Sequence, residues 1–468
     1  MGTVVLTSII HQEPQRSFLI LLVLLAALQG GNASAETPRS NDLRPNIIRI
    51  MADDLGYGEL GSYGQKLIRT PNLDQMSAEG MRFTQYYAGS AACNPSRFAF
   101  STGRHALTTG VITNGENFLP ADSVTVGSVM QSAGYATGLI GKWALGDAGT
   151  SGEPLKQGFD YFFGYPTQRS AHNYYPETLT ENRGSAILTG NRDSDRKLIA
   201  AGHKTYAPEV MQQRTLAFIR DNSKRTFYLQ LDFNLPHINS ELHRLTGNGF
   251  EIPGAGRYAS EAGWTEVDRS YAEMVSLMDD YVGDILSTLH SLGIAGNTLV
   301  IFTSDNGPAG ERSRESLERF AATGPFSGWK GRMHEGGIRV PMIAWWPGTI
   351  PAGTTNNALV TAWDELPTFA ELIAARAKIE SDGVSFAPLL KGANNPQQAR
   401  FLYWQLDEKV AVRYGDWKWV GIRYHTPFEK NFLYNIALDP GELSNLAGSN
   451  PEQLHQLQAM VDKFRLAQ

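Results

Sequence analysis

An α/β fold, with a large, mainly parallel or mixed sheet sandwiched by helices, is the fold class this sequence predicts. Three observations lead to it. Short apolar, β-branched runs alternate with amphipathic segments of helical spacing along most of the chain. These apolar runs end repeatedly in polar or ionisable clusters, as strands do where open α/β sheets build their sites. From about Gln397 onward the pattern changes to short strand-like runs, which predicts a small antiparallel sheet plus a helix packed on the main domain.

The elements follow in order. Asn46 to Met51 (NIIRIM) reads as a buried strand running into Ala52-Asp53-Asp54-Leu55-Gly56. Thr70-Pro71 supplies a cap and a first helical proline, with Gly80 as the stop. Pro95 suits a first helical turn, so a further helix begins at or just before Cys93. Gly134 closes a helix ahead of the strand Ala136 to Ile140, which leads into Gly141-Lys142-Trp143. Ala207 to Asn222 is helical, and Phe227 to Phe233 is a strand ending just before Pro236-His237. Arg269 to Leu292 is a long amphipathic helix, and the strand Thr298 to Thr303 delivers Ser304-Asp305-Asn306-Gly307. Strands at Phe401 to Gln405, Val410 to Arg413 and Trp417 to Ile422 precede the turn Asp439-Pro440-Gly441 and a last helix from Pro451 to Arg465.

The N-terminus has a different character. Arg16, the apolar run Phe18 to Leu28 and Ala33-Ser34-Ala35 have the order of a secretory signal peptide. The apolar run is well short of the ~20 residues that span a bilayer, so stable membrane insertion is not expected. The division is residues 1–35 as a signal peptide cleaved after Ala35, 36–390 as the catalytic α/β domain, and 391–468 as the C-terminal α+β subdomain. A periplasmic or secreted location follows. A formal net charge of −6 argues against nucleic acid or an anionic membrane as partner, so an anionic substrate requires positive charge concentrated in the site.

Cys93 is the only cysteine, which excludes an intrachain disulfide and a thiolate-rich zinc site. A single cysteine is usually just buried. Its position at a helix start favours an anion there, and Arg97 adds a permanently charged planar fork. Asp53 with Asp54, and Asp305 with Asn306, each follow an apolar strand. Taken alone, such pairs are commonly solvated turns. Together they offer oxygen donors suited to calcium or magnesium rather than zinc.

The run Cys93-Asn94-Pro95-Ser96-Arg97, continued to Thr102-Gly103-Arg104, has the form CxPSRxxxxTGR. It resembles the signature of the formylglycine-dependent sulfatases, members of the alkaline-phosphatase-like superfamily. The resemblance extends from Pro45 to about Leu446 and includes the segments DDLGYG, SDNG and DPGELSNLA. It implies that Cys93 is oxidised to formylglycine, and that Asp53, Asp54, Asp305 and Asn306, with residue 93, bind one calcium ion. Lys142 in GKWALG, His237 in LPHINS and Lys330 in GWKGRMHEGG match segments that hold the sulfate group in this family. The implied chemistry is attack on sulfur by a gem-diol oxygen of residue 93, with Asp305 taking its proton. Arg97, Lys142 and Lys330 would hold the sulfuryl oxygens, and His237 with Lys330 would protonate the departing alcohol. A sulfated enzyme would then release sulfate.

One position departs from the pattern. The family's histidine in GKWHLG, which takes the proton in the second step, is Ala144 here. His172, within Ala171-His172-Asn173-Tyr174-Tyr175-Pro176, is the candidate replacement; packing under the two tyrosines is its other reading. Arg104 and His105 are expected to buttress the motif helix, while His334 is open between the site and solvent. The expected function is hydrolysis of a sulfate ester on a saccharide, galactose or N-acetylgalactosamine in type, after maturation by a formylglycine-generating enzyme. Two alternatives remain at this point. One is a phosphonate monoester or phosphodiester hydrolase of the same superfamily, and the other a lapsed sulfatase that only binds sulfated glycans.

Overall fold

A computed structural model describes residues 44–195, 198–310, 314–376, 379–393, 399–423 and 430–466. The expected signal segment lies outside the described residues.

The first strand, β1 (Asn46–Ala52), is buried along its whole length, as expected of a central strand with both faces covered. It is followed by α1 (Pro71–Glu79), β2 (Met81–Phe83) and α2 (Cys93–Thr102). Next come β3 (Ala136–Lys142), β4 (Tyr161–Tyr165) and the hairpin of β5 (Thr178–Glu181) with β6 (Gly184–Ile187). The helix α3 (Ala207–Asp221) leads to β7 (Phe227–Asp232), then to α4 (Ser240–Thr246) and α5 (Glu266–Ser291). Strands β8 (Thr298–Ser304), β9 (Met342–Trp345) and β10 (Thr354–Asn356) complete the large sheet. The C-terminal part contains β11 (Phe401–Leu406), β12 (Lys409–Tyr414), β13 (Trp417–Ile422), β14 (Lys430–Asn435) and α6 (Pro451–Leu466).

The large sheet has ten strands among the described residues, in the order β10-β2-β9-β8-β1-β7-β3-β4-β5-β6. Strands β8, β1, β7, β3 and β4 are parallel. The sheet is therefore mixed: β9 runs antiparallel to β8 and β2, and β5 antiparallel to β4. Its parallel centre aligns the carboxyl ends of β1, β3, β7 and β8 along one edge, and the site stands there.

The helix α5 begins at Glu266, ahead of the expected Arg269. The cause is a capping box: Thr265 Oγ1 accepts from Asp268 N at 3.1 Å, and Asp268 Oδ2 accepts from Thr265 N at 3.0 Å. The small sheet is antiparallel, β11-β12-β13-β14, with one strand more than the sequence predicts. Strand β14 (KNFLYN) is an edge strand with polar ends, so its alternation is weak and pairing with β13 defines it. Leu402 and Trp404 share a buried cluster with Tyr87, Ala91, Ala92 and Ala99, which sets the small sheet against the flank of α2. Trp404 Nε1 donates to Ala88 O at 2.9 Å in the same contact. No helix among the described residues is long and apolar enough to cross a membrane.

Candidate active site

All ten residues of α2 are buried, and Cys93 is the first of them. Its thiol donates to Asp53 Oδ1 at 3.3 Å and lies 3.8 Å from Asp54 Oδ1. Both aspartates leave the end of β1. Asp54 sits in the left-handed region at φ 67°, a conformation aspartate tolerates better than most residues. Its backbone N–H donates to Asp305 Oδ1 at 3.1 Å, tying the end of β1 to the end of β8. Asn306 Nδ2 donates to Asp54 Oδ1 at 2.7 Å.

Three cations face these carboxylates. Lys142 Nζ, at the end of β3, is 2.7 Å from Asp53 Oδ2. Arg97 Nε and Nη2 donate to Asp305 Oδ2 at 3.1 and 2.9 Å, and its Nη1 donates to Lys142 O at 2.7 Å. Lys330 Nζ is 2.8 Å from Asp54. Burial works to raise the Asp53 carboxyl, but Lys142, His237 and Arg97 outweigh it and hold the group well below the carboxylate range. Burial and Asp53 push Asp305 up to about 7. The Cys93 thiol is pushed up by burial, Asp305 and Asp53 together. The helix start therefore does not produce a thiolate here, because burial first, and then the carboxylates opposite, disfavour the negative charge. The unmodified thiol is a poor nucleophile.

The oxygen donors fit a hard divalent cation. Asp53, Asp54, Asp305 and Asn306 converge from two strand ends. Asn306 Oδ1 is buried with no hydrogen-bond partner among the described residues. Ligand atoms of Asp53, Asp54, Cys93 and His237 also lie within 4.8 Å of one another. An all-oxygen set drawn from carboxylates and an amide is the chemistry of calcium or magnesium.

His237 follows the end of β7. Its Nδ1 donates to Ile238 O at 2.6 Å, so Nε2 is free to accept from Lys330 Nζ at 3.2 Å. Burial pushes the imidazole down to about 3, with Asp53 opposing and Lys330 adding to the fall, so the ring is neutral. His172 lies parallel to it, ring centroids 4.9 Å apart and planes at 17°. Burial and Lys142 lower the His172 imidazole, and Glu241 opposes them. His172 therefore packs against His237 at the site. Ala144 is buried at φ 64°, its carbonyl accepting from Asn94 Nδ2 at 2.7 Å.

The structure thus gathers Asp53, Asp54, Cys93, Arg97, Lys142, His172, His237, Asp305, Asn306 and Lys330 around one point. Other residues lie elsewhere. Tyr434 OH is 3.4 Å from His334 Nε2, so His334, partly exposed, faces the small sheet rather than the site. His105 packs against Trp363, Tyr403 and Phe464, whereas Arg104 pairs with exposed Glu380. Two charged residues near the site carried no sequence signal. Asp232, at the end of β7, lies 3.5 Å from both Arg49 and Arg97. Glu241 contacts His172.

Comparison with known proteins follows the same lines. The sulfatase family model matches residues 45–375, and that of the C-terminal part of N-sulphoglucosamine sulphohydrolase matches residues 327–467. The chain is 33% identical to arylsulfatase A of Homo sapiens, covering 93% of this chain and 89% of that protein. It is 30% identical to N-acetylgalactosamine-6-sulfatase of Canis lupus familiaris, covering 94% and 88%. Among solved structures, Ps i-CgsB in complex with k-i-k-neocarrahexaose is similar with a TM-score of 0.77 and 27% identity, covering 90% of this chain and 93% of that one.

Proposed function

The chain belongs to the sulfatase family and is a sulfuric ester hydrolase, and on that premise we propose that it is an exported, calcium-dependent enzyme acting on a sulfated saccharide. The observation that carries this reading is the set of three cations, Arg97, Lys142 and Lys330, around the Cys93 side chain. They form a cradle for one compact anion beside one reactive atom. A sulfate monoester carries one negative charge and a phosphate monoester nearly two, so a site already neutralising its own carboxylates suits sulfate. The names of the N-acetylgalactosamine-6-sulfatase and of the neocarrahexaose complex support a galactose-type sugar.

Asp53, Asp54, Asp305 and Asn306, with residue 93, would hold calcium, which would supply Lewis-acid charge, and residue 93 as formylglycine would supply the nucleophile. Arg97, its fork engaged by Asp305 Oδ2 and Lys142 O, supplies a fixed positive charge beside the sulfuryl oxygens, while Lys142 and Lys330 offer point charges to them. Asp305, whose charge acts on the residue-93 side chain, takes the nucleophile's proton. Lys330 and His237 share the proton that the departing alcohol needs, since His237 Nε2 is already the acceptor for Lys330. His172 stands in for the histidine missing at Ala144, accepting a proton when sulfate leaves the enzyme. Export relies on a leader cleaved after Ala35, and maturation on a formylglycine-generating enzyme.

The test is inorganic sulfate released from a panel of sulfated mono- and oligosaccharides by protein matured with a formylglycine-generating enzyme. Multiple turnovers on one galacto-configured sugar, with the residue-93 peptide at the formylglycine mass, are expected. Fully converted protein that never exceeds one equivalent of sulfate overturns the reading in favour of a glycan-binding relative.

A further inference from the structure

The loop carrying His172 and the loop carrying His237 are fastened together. Tyr174 OH donates to Asn234 O at 2.6 Å and contacts His237 O at 2.5 Å, and Asn234 Nδ2 donates to Ala171 O at 3.1 Å. Beyond His237 the chain enters α4, whose cap residue Asn239 accepts from Leu242 N at 3.0 Å. Asn239 Nδ2 also donates to Glu251 Oε2 at 2.8 Å, which fixes the start of that helix. Glu241 lies in its first turn. Glu241 Oε2 is 2.8 Å from His172 Nδ1, and Glu241 Oε1 is 3.5 Å from Arg169 Nη2. The same short segment thus supplies both the ring that stacks on His172 and the carboxylate that orients it.

We propose that Glu241 is a positioning residue for sulfate release: it holds the Nδ1–H tautomer of His172 and leaves Nε2 as the free acceptor. The inference rests on the reading of His172 given above. A carboxylate can only accept from a neutral imidazole, so the proton must sit on Nδ1. The lone pair on Nε2 then takes the proton of the remaining hydroxyl of residue 93. The O–H electron pair closes the aldehyde carbonyl as the C–O bond to sulfate breaks, and sulfate leaves with that bond's electrons. Glu241 also opposes burial and Lys142, which would otherwise weaken His172 as a base.

The test compares Glu241→Gln, Glu241→Leu and His172→Ala in converted, calcium-loaded protein with a chromogenic aryl sulfate. Gln is the informative variant because it keeps size and packing. With Arg169 holding its carbonyl, its amide turns N–H to His172 Nδ1 and drives the proton to Nε2. Both Glu241 variants should give a full one-equivalent burst of alcohol and a steady rate about 10- to 100-fold slower. Intact mass should show the sulfated enzyme accumulating. In the unconverted Cys93 protein, ring 15N shifts should show Nδ1–H in the wild type and Nε2–H in Glu241→Gln. If His172→Ala stalls but both Glu241 variants turn over normally, the positioning role fails and the reading of His172 stands. If His172→Ala turns over normally, that reading fails and takes the proposal with it. Loss of the burst itself in Glu241→Gln, or an unchanged tautomer, would assign Glu241 to packing only and overturn the proposal.

Discussion

Lys142 Nζ and Asp53 Oδ2 meet at 2.7 Å with neither side chain reaching solvent. Lys142 is at the end of β3 and Asp53 just beyond β1, two strands that do not touch because β7 lies between them. The pair spans the floor of the site and fixes the spacing of two strand ends. Lys142→Met should leave Asp53 charged and short of its nearest partner. Removing one member of a buried pair costs about 3–5 kcal/mol, here moderated by Arg97 at 3.8 Å. Loss of one charge-stabilising donor should also lower kcat by about 10²- to 10³-fold. Urea unfolding and sulfate release check both, and a variant within tenfold of wild-type kcat would remove Lys142 from the cradle.

Calcium should raise the melting temperature of the protein, whether or not residue 93 is converted. Binding at 100 times the dissociation constant adds about 2.7 kcal/mol to stability. Asn306→Ala removes a buried oxygen with no other partner among the described residues, so the calcium-dependent shift should shrink. It also removes the Nδ2 bonds to Asp54 Oδ1 and Gly307 O, so stability without calcium should fall as well, by about 1–3 kcal/mol. Thermal melts titrated with calcium, magnesium and chelator make the comparison. Equal shifts in wild type and Asn306→Ala would exclude Asn306 as a ligand.

Much of this arrangement was legible in the sequence for an identifiable reason. Strands such as Thr298–Ser304 are continuous apolar runs, and a parallel sheet then places whatever follows them, Asp305 and Asn306 included, on one edge. Cys93 and Arg97 were readable because they lie one helical turn apart. What the sequence concealed depends on contacts distant in the chain. Glu241 meets His172 only because Tyr174 and Asn234 join two loops. His334 turns toward Tyr434, on a strand that pairing with β13 defines rather than its own pattern. A mixed sheet was expected, but which short strands form its antiparallel flank was not legible, since direction is not written in the periodicity of a short strand.

Lys418 should prove to be a support for Lys330. Its ammonium is buried between Glu335 Oε1 at 2.8 Å and Glu442 Oε1 at 2.9 Å. Glu335 is held further by Tyr87 OH at 2.5 Å and Arg339 Nη1 at 3.2 Å. Gly331 N donates to Ala91 O at 2.7 Å, so the loop bearing Lys330 is pinned beside the start of α2. Lys418→Met leaves two buried carboxylates facing each other, a loss of about 3–5 kcal/mol. A shift of about 1 Å in Lys330 can lower activity by about 10²-fold. The check is whether activity falls at temperatures where the variant remains folded; unchanged kcat/KM there would confine Lys418 to stability.

His334 should give the protein part of its acid sensitivity. Burial, with Lys418 and Arg332 adding to it, pushes the His334 imidazole down to about 4. Its unfolded value is about 6.5, so the depressed group contributes stability that is present above pH 6.5. Between pH 6.5 and 4 the unfolded chain binds a proton at this position that the folded chain refuses. Stability therefore falls as the pH drops through that window, with a slope of at most about 1.4 kcal/mol per pH unit. His334→Phe keeps a ring against Phe432 and Tyr434 and removes the titration. Unfolding free energies measured from pH 7.5 to 4 should lie on a flatter acid limb for the variant, the two curves separating by about 3 kcal/mol at most. Parallel curves for the two proteins would mean that His334 is protonated in the folded state and does not contribute to the acid limb.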